Sequence, residues 1–276
     1  MKRNTACLNV MFSLGAFLVS GCSAVSNHVD IAAYRMIPLV TDPGGEKHCS
    51  QDQKWCVQLD PNADSGVMVS VTQDDKQARE RTLGSGMLAD ADADAFGATD
   101  HDIWPFLIMG DDASGNVLVG ITSTISTGYS GGGAEAHFLD LIGLEAGGIP
   151  SGATSPVVLS VPLGAMKMIR ACFDEDDIQK RRDVCHDEYR FEADIRLENH
   201  GTAGLPDVLY TSTATAFPAT VSLDQDSTQL PALRDEDLVE RVDERCSFER
   251  VFRFDVTSGR YQPDAPLPAC DDYLIP

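Results

Sequence analysis

The sequence predicts a mainly β fold, sandwich- or propeller-like, with a few short helices and a set of disulfide staples. Three observations point there. Short segments rich in Val, Ile, Phe and Tyr alternate apolar with polar residues at period two, as strands with one buried face do. Glycine and proline, 23 and 14 in 276 residues, punctuate these segments as turns would. Eight cysteines give an even number available for pairing.

The strands are justified in chain order. Val67, Val69 and Val71 alternate with Met68, Ser70 and Thr72, which suits a strand. Ile103 to Met109 and Val117 to Ile125 are apolar runs flanking Gly110-Asp111-Asp112-Ala113-Ser114-Gly115-Asn116, a hairpin pattern. Val157 to Val161, Tyr189 to Leu197, Val208 to Phe217 and Phe248 to Asp255 add further strands, with Thr257-Ser258-Gly259-Arg260 as a turn before Tyr261. Two short helices are expected. Asp174 to Asp177 precede Lys180, Arg181 and Arg182, acids first and bases last, which complements the helix dipole, with Asp174 as N-cap. Asp235-Glu236-Asp237 followed by Arg241 and Arg245 repeats the arrangement. Setting Cys185 over Cys246 aligns 174–194 with 235–255 as a weak internal repeat: acidic helix, cysteine, strand.

The N-terminus carries an address. Lys2 and Arg3 precede an uncharged apolar stretch, Ala6 to Val19, too short to span a bilayer but of secretory-signal length. It ends in Val19-Ser20-Gly21-Cys22. This segment resembles the lipobox of bacterial lipoproteins. The resemblance implies cleavage before Cys22, acylation of Cys22 with palmitate-type chains, and, with Ser23 and not Asp following, sorting to the outer membrane. The expected organisation is therefore a signal peptide over 1–21, a lipidated tether over 22–48 containing Pro38, Pro43, Gly44 and Gly45, and a β-rich domain over 49–276. More than one acyl chain gives stable anchoring. No other window offers 18 consecutive apolar residues, so no transmembrane helix is expected.

Once Cys7 leaves with the signal and Cys22 is acylated, six cysteines remain for an oxidising compartment. Six allow 15 connectivities. Pairing of sequence neighbours is the simplest: Cys49–Cys56, Cys172–Cys185 and Cys246–Cys270. Zinc is disfavoured because no pair has CxxC spacing and no HxxxH accompanies them.

Further stretches, Ile103-Trp-Pro-Phe, Gly128-Tyr-Ser-Gly-Gly-Gly, Ala171-Cys-Phe with Cys185-His-Asp-Glu-Tyr, and Pro266-Leu-Pro-Ala-Cys270-Asp-Asp-Tyr, resemble recurring stretches of uncharacterised bacterial envelope proteins over roughly residues 100–276. The resemblance implies an envelope location and brings no activity with it.

Composition narrows the partners. With 43 acidic against 21 basic residues the chain carries −22, and loss of Lys2 and Arg3 with the leader makes this −24. Nucleic acid is excluded as a partner by repulsion, while a cationic protein or Ca²⁺ would be attracted. With 43% hydrophobic residues, wholesale disorder is excluded as well. Asp90, Asp92 and Asp94 have the spacing of a calcium loop's start, but Ala95 and His101 stand where an EF-hand needs Gly and Glu, leaving only a looser Ca²⁺ site with Asp100 or Asp102. No cofactor motif is present.

The leading functional reading is a non-enzymatic binding or structural module of the periplasmic envelope. The alternative is a serine hydrolase. Gly128-Tyr129-Ser130-Gly131-Gly132 fits G-x-S-x-G, with Ser130 as nucleophile, His186 or His200 as base, and Ala134 to Glu145 as the helix such an elbow requires. Against it, the polar Thr122 to Thr127 precede Ser130 where a buried strand belongs, and no HGGG-like segment lies upstream.

Overall fold

A computed structural model describes residues 34–42, 44–45, 47–63, 66–74, 79–83, 98–110, 116–144, 157–198 and 204–275. The leader, Cys22, the acidic stretch with Asp90, Asp92 and Asp94, and His200 lie outside the described residues. The described chain is mainly β, with two short helices and three disulfides. The strands are β1 (Arg35–Thr41), β2 (His48–Ser50), β3 (Trp55–Ala63), β4 (Gly66–Gln73), β5 (Arg79–Leu83), β6 (Ala98–Met109), β7 (Val117–Tyr129), β8 (Gly132–Leu144), β9 (Val157–Arg170), β10 (His186–Glu198), β11 (Asp207–Phe217), β12 (Arg241–Val242), β13 (Glu249–Asp255) and β14 (Arg260–Pro263). The helices are α1 (Glu175–Lys180) and α2 (Asp271–Leu274).

All pairings are antiparallel, in the order β14-β13-β11-β10-β9-β8-β7-β6-β1-β2-β3-β4-β5, with β12 added to β11. Chain order is broken chiefly at β1. Its first half, through Pro38, pairs with β6, and its second half, from Leu39, pairs with β2. The change of partner occurs at the proline, which has no N–H to give to a ladder. This corrects the expectation of a tether over 22–48: residues 35–41 are the strand that joins the two parts of the sheet.

Two apolar cores flank the central strands. Leu107, Met109, Val117, Val119, Ile121 and Ile142 face one core, shared with Trp55, Val57, Val69 and Val71. Their neighbours Ile108, Leu118, Leu139 and Leu141 face the other, shared with Phe191, Tyr210, Phe252 and Phe254. Burial on both faces is why Leu107–Met109 and Val117–Ile121 read as continuous apolar runs, while β10, wet on one face, alternates. Sheet packed on both sides of a central stretch is the layering of the sandwich alternative.

The local signals explain the short elements. Asp174 caps α1 by accepting from the Asp177 N–H at 2.9 Å, and Asp177 accepts from the Phe173 N–H at 3.0 Å, a reciprocal cap. The second expected helix is a single 3₁₀ turn, Asp235–Asp237. Asp237 folds back to accept from the Arg234 N–H at 2.8 Å and from its guanidinium at 3.1 and 3.2 Å. Arg241 then continues as strand β12 rather than helix. The two segments of the weak repeat share the order helical turn, cysteine, strand, but Cys185 bonds upstream to Cys172 and Cys246 bonds downstream to Cys270.

Candidate functional site

Ser130 lies at the exposed tip of the β7–β8 hairpin, whose last pair is Tyr129 with Gly132. The tip depends on glycine at 132: φ is +155°, and a Cβ there would stand 1.9 Å from the Met168 carbonyl oxygen. The residues after it, Gly132–Leu144, are strand β8 and not the helix a nucleophile elbow needs. His186 opens β10, opposite Arg170, and the Arg170 N–H bonds to the Gly131 carbonyl. Ser130 and His186 therefore share one end of the sheet with β9 between them, about two strand spacings or ~10 Å apart. No hydrogen bond joins them among the described residues.

The other sequence-derived candidates are dispersed. Asp102 is exposed on β6, 3.7 Å from the His48 Nε2. Asp100 is exposed one pleat away on the same face. Among the described residues no group of three His, Cys, Asp or Glu gathers as a metal site. A hydroxyl–imidazole–carboxylate chain that sequence gave no hint of does form. Thr124 Oγ1 lies 2.9 Å from His137 Nδ1, and His137 Nε2 lies 2.8 Å from Glu135. It stands on a polar sheet face open to solvent, with the imidazole and carboxylate both close to half exposed.

Two concavities lie away from these residues: one of about 590 Å³ is lined by Arg35, Ile37, Pro38, Asp52 and Trp55 at β1 and the β2–β3 turn, and the other lies where β9 and β10 meet the segment after β11. A cavity of about 400 Å³ is lined by Ile169, Arg170, Phe173, Tyr189, Leu223 and Asp224 among others. Beside it a second, about 150 Å³, is lined by Arg241, Arg245, Asp243, Asp272 and Tyr273, and shares Tyr189, Ser222, Leu223 and Asp224 with the first. The two form one cleft: the larger end has an apolar wall of Ile169, Phe173 and Leu223 facing polar Asp187, Gln225, Asp226 and Ser227, and the smaller end is polar.

Its walls are fixed from several directions. Cys172–Cys185 joins the approach to α1 with the start of β10, and Cys246–Cys270 joins the turn before β13 to α2. The segment 218–229 follows a cis Phe217–Pro218 bond. Arg241 holds it by donating from Nε to the Ala219 carbonyl at 2.8 Å and from Nη2 to the Val221 carbonyl at 3.2 Å. Asp226 caps its 3₁₀ turn, accepting from the Thr228 N–H at 2.9 Å and hydroxyl at 2.8 Å. These bonds hold its carboxyl below the usual carboxylate range.

At the floor of the larger cavity lies a buried charge pair. The Arg181 guanidinium donates to Asp187, and the Ser227 hydroxyl donates to the same carboxylate. Arg181 and Asp187 are each 4% exposed. Arg181 also donates to the Val184 carbonyl at 2.9 Å. At the rim, the Arg170 guanidinium lies 5.0 Å over the ring of Phe173, which is 62% exposed.

The tyrosines single out one group. Tyr210 and Tyr261 are buried and donate to the Pro162 and Pro206 carbonyls, both at 2.9 Å. Tyr273 donates to Asp243 at 3.1 Å. Tyr189 is 4% exposed, lines both cavities, and its hydroxyl has no hydrogen-bond partner among the described residues. Burial, then the charge of Asp187, pushes its phenol upward, so it remains a neutral O–H at any physiological pH. A buried tyrosine hydroxyl ordinarily finds a partner. This one faces a cleft.

Compared with known proteins, the chain matches no family model, no curated sequence and no solved structure.

Proposed function

We propose that the chain is a lipoprotein of the bacterial envelope, anchored through Cys22 to the outer membrane. Its β domain is a binding module that engages a cationic partner protein at the Tyr189 cleft. The lipobox resemblance and the pairing of all six remaining cysteines support an exported, oxidised domain. The charge of −24 after loss of the leader supports a cationic partner, whose encounter it would steer. The single observation that carries the binding reading is the Tyr189 hydroxyl, which tips a buried ring, has no hydrogen-bond partner among the described residues and opens on a cleft whose walls are already in place.

The test has two arms. Metabolic labelling with an alkyne palmitate should mark the wild-type chain and not Cys22→Ala, which should also leave the membrane fraction; persistent label in the variant refutes the anchor. A fluorescein-labelled lysine-rich peptide should bind the full-length chain in neutral detergent and be released by salt. Ser222→Trp, which fills the cleft at the rim shared by both cavities, should abolish that binding. Undiminished binding by Ser222→Trp would move the site elsewhere. Ser130→Ala is expected to change neither binding nor any ester hydrolysis by the purified chain.

A further inference from the structure

The polar end of the cleft holds five charged side chains, Asp224, Arg241, Asp243, Arg245 and Asp272, four of which are held by bonds within the fold. Asp243 is consumed: its Oδ1 accepts from the backbone N–H groups of Arg245 and Cys246 at 2.9 and 3.3 Å, and its Oδ2 from Tyr273. Asp272 and Arg245 face each other at 3.4 Å. Arg241 is different. Its Nε and Nη2 are held by two neutral carbonyls, and no carboxylate lies within ion-pair distance of it among the described residues. A guanidinium fixed in place and left without a counter-charge is a preorganised receptor for a carboxylate. Tyr189, the hydroxyl without a partner, lines the same cavity.

We propose that the cleft recognises the end of an N-acylated apolar amino-acid residue with a free carboxylate. The carboxylate lies against Arg241 and the Tyr189 hydroxyl, and the side chain lies along the apolar wall that Ile169, Phe173 and Leu223 give the 400 Å³ cavity. Asp224, exposed where the two cavities join and with its carboxylate bound to no described residue, accepts the amide N–H next to that carboxylate. Apolar body, anionic head and amide N–H together are the chemistry of a peptide C-terminus or of a free N-acyl amino acid. This deepens the binding reading and rests on it: a cationic partner body is drawn by the acidic surface, and its last residue is read by the cleft.

The experiment compares two fluorescein-labelled peptides of sequence Lys-Lys-Gly-Gly-Leu, one with a free carboxylate and one C-terminally amidated. Both are titrated by anisotropy against the full-length chain in neutral detergent. The free acid should bind at least about tenfold tighter, the scale of one charge-assisted contact. Arg241→Gln should erase the difference by weakening the acid alone. Because Arg241 also fastens the 218–229 segment, Tyr189→Phe serves as a second variant that removes only a hydroxyl; it should weaken the acid about three- to tenfold. N-acetyl-leucine separates the two sources. Competition at concentrations matching the peptide assigns the site to free N-acyl amino acids, and competition only at large excess assigns it to a polypeptide end. Equal binding of acid and amide, or a preference that survives both variants, overturns the inference and leaves the binding reading standing. Failure of both peptides to bind overturns the two together.

Discussion

The two cores are built for different purposes. The one shared by β3, β4 and β6–β8 is almost entirely aliphatic, closed by Trp55 and served by one short disulfide, Cys49–Cys56. The one shared by β6–β11, β13 and β14 adds to its aliphatic residues the aromatic rings of Tyr189, Phe191, Tyr210, Phe252, Phe254, Tyr261 and Tyr273. It is bordered by two disulfides, and the buried Arg181–Asp187 pair lies under its cleft. Aliphatic packing is non-directional and asks only for volume and patterning. Aromatic edges, paired charges and hydroxyls fix orientation. The directional groups gather beside the Tyr189 cleft, so the proposed site lies against the core whose packing fixes orientation.

The sharpest way to break this comparison is Asp187→Ala. It leaves Arg181 buried without its carboxylate and removes the acceptor of Ser227. The expected cost is about 3–5 kcal/mol, read as a lower urea midpoint at unchanged slope. The double change Arg181→Met with Asp187→Leu should be far milder, since no charge is then stranded. That variant should nonetheless lose peptide binding, because the floor that orders 218–229 through Ser227 is gone. Equal losses of stability from the single and double changes would show that packing, not charge, dominates there.

Next in size are the disulfides. Replacing each pair by alanine should cost about 3.5 kcal/mol for Cys246–Cys270, ~3.0 for Cys172–Cys185 and ~2.5 for Cys49–Cys56, following their separations of 24, 13 and 7 residues. Loop entropy alone makes the three similar in stability. Ligand binding should separate them, with the two that frame the cleft lowering affinity and Cys49–Cys56 leaving it unchanged.

The same contrast explains what could be read in the sequence. Period-two alternation and continuous apolar runs are set by burial of one face or two, so β4, β6, β7, β10, β11 and β13 were legible, and neighbour pairing of the cysteines was legible because adjacent strands and turns bring neighbours together. The strand β1 was hidden because Pro38 and the glycines after it carry the composition of a linker, while its pairing is supplied by β6, about 70 residues later. Arg181 reads as one of three solvated bases closing a helix, yet it is buried, because its partner Asp187 lies beyond the disulfide on β10. The cleft itself was invisible. Tyr189 and Phe191 alternate identically toward the core, and only the segment 218–229, contributed from beyond β11, leaves one ring with an open hydroxyl and the other sealed.

The smallest predicted effect isolates that hydroxyl. Tyr210→Phe and Tyr261→Phe each strand a buried proline carbonyl that was bonded at 2.9 Å, and each should cost about 1 kcal/mol in chemical denaturation. Tyr189→Phe strands nothing and should leave stability unchanged while weakening the acid peptide. Alkali offers an independent reading of the same groups. Burial raises the phenols of Tyr189, Tyr210 and Tyr261, and burial together with Asp243 pushes Tyr273 up to about 12. A group whose folded pKa lies above its unfolded value of about 10 keeps its proton in the native state when the unfolded chain has lost it. Stability is therefore intact below pH ~10 and falls as pH rises beyond it. All four lie on the aromatic side, so alkaline unfolding should expose the β9–β14 amides to hydrogen exchange before those of β3 and β4. Tyr189→Phe should flatten the alkaline slope without moving the neutral-pH midpoint, whereas Tyr210→Phe and Tyr261→Phe should do both. A drop in neutral-pH stability in Tyr189→Phe would mean that the hydroxyl is satisfied within the fold, and its availability to a ligand would be lost as an argument.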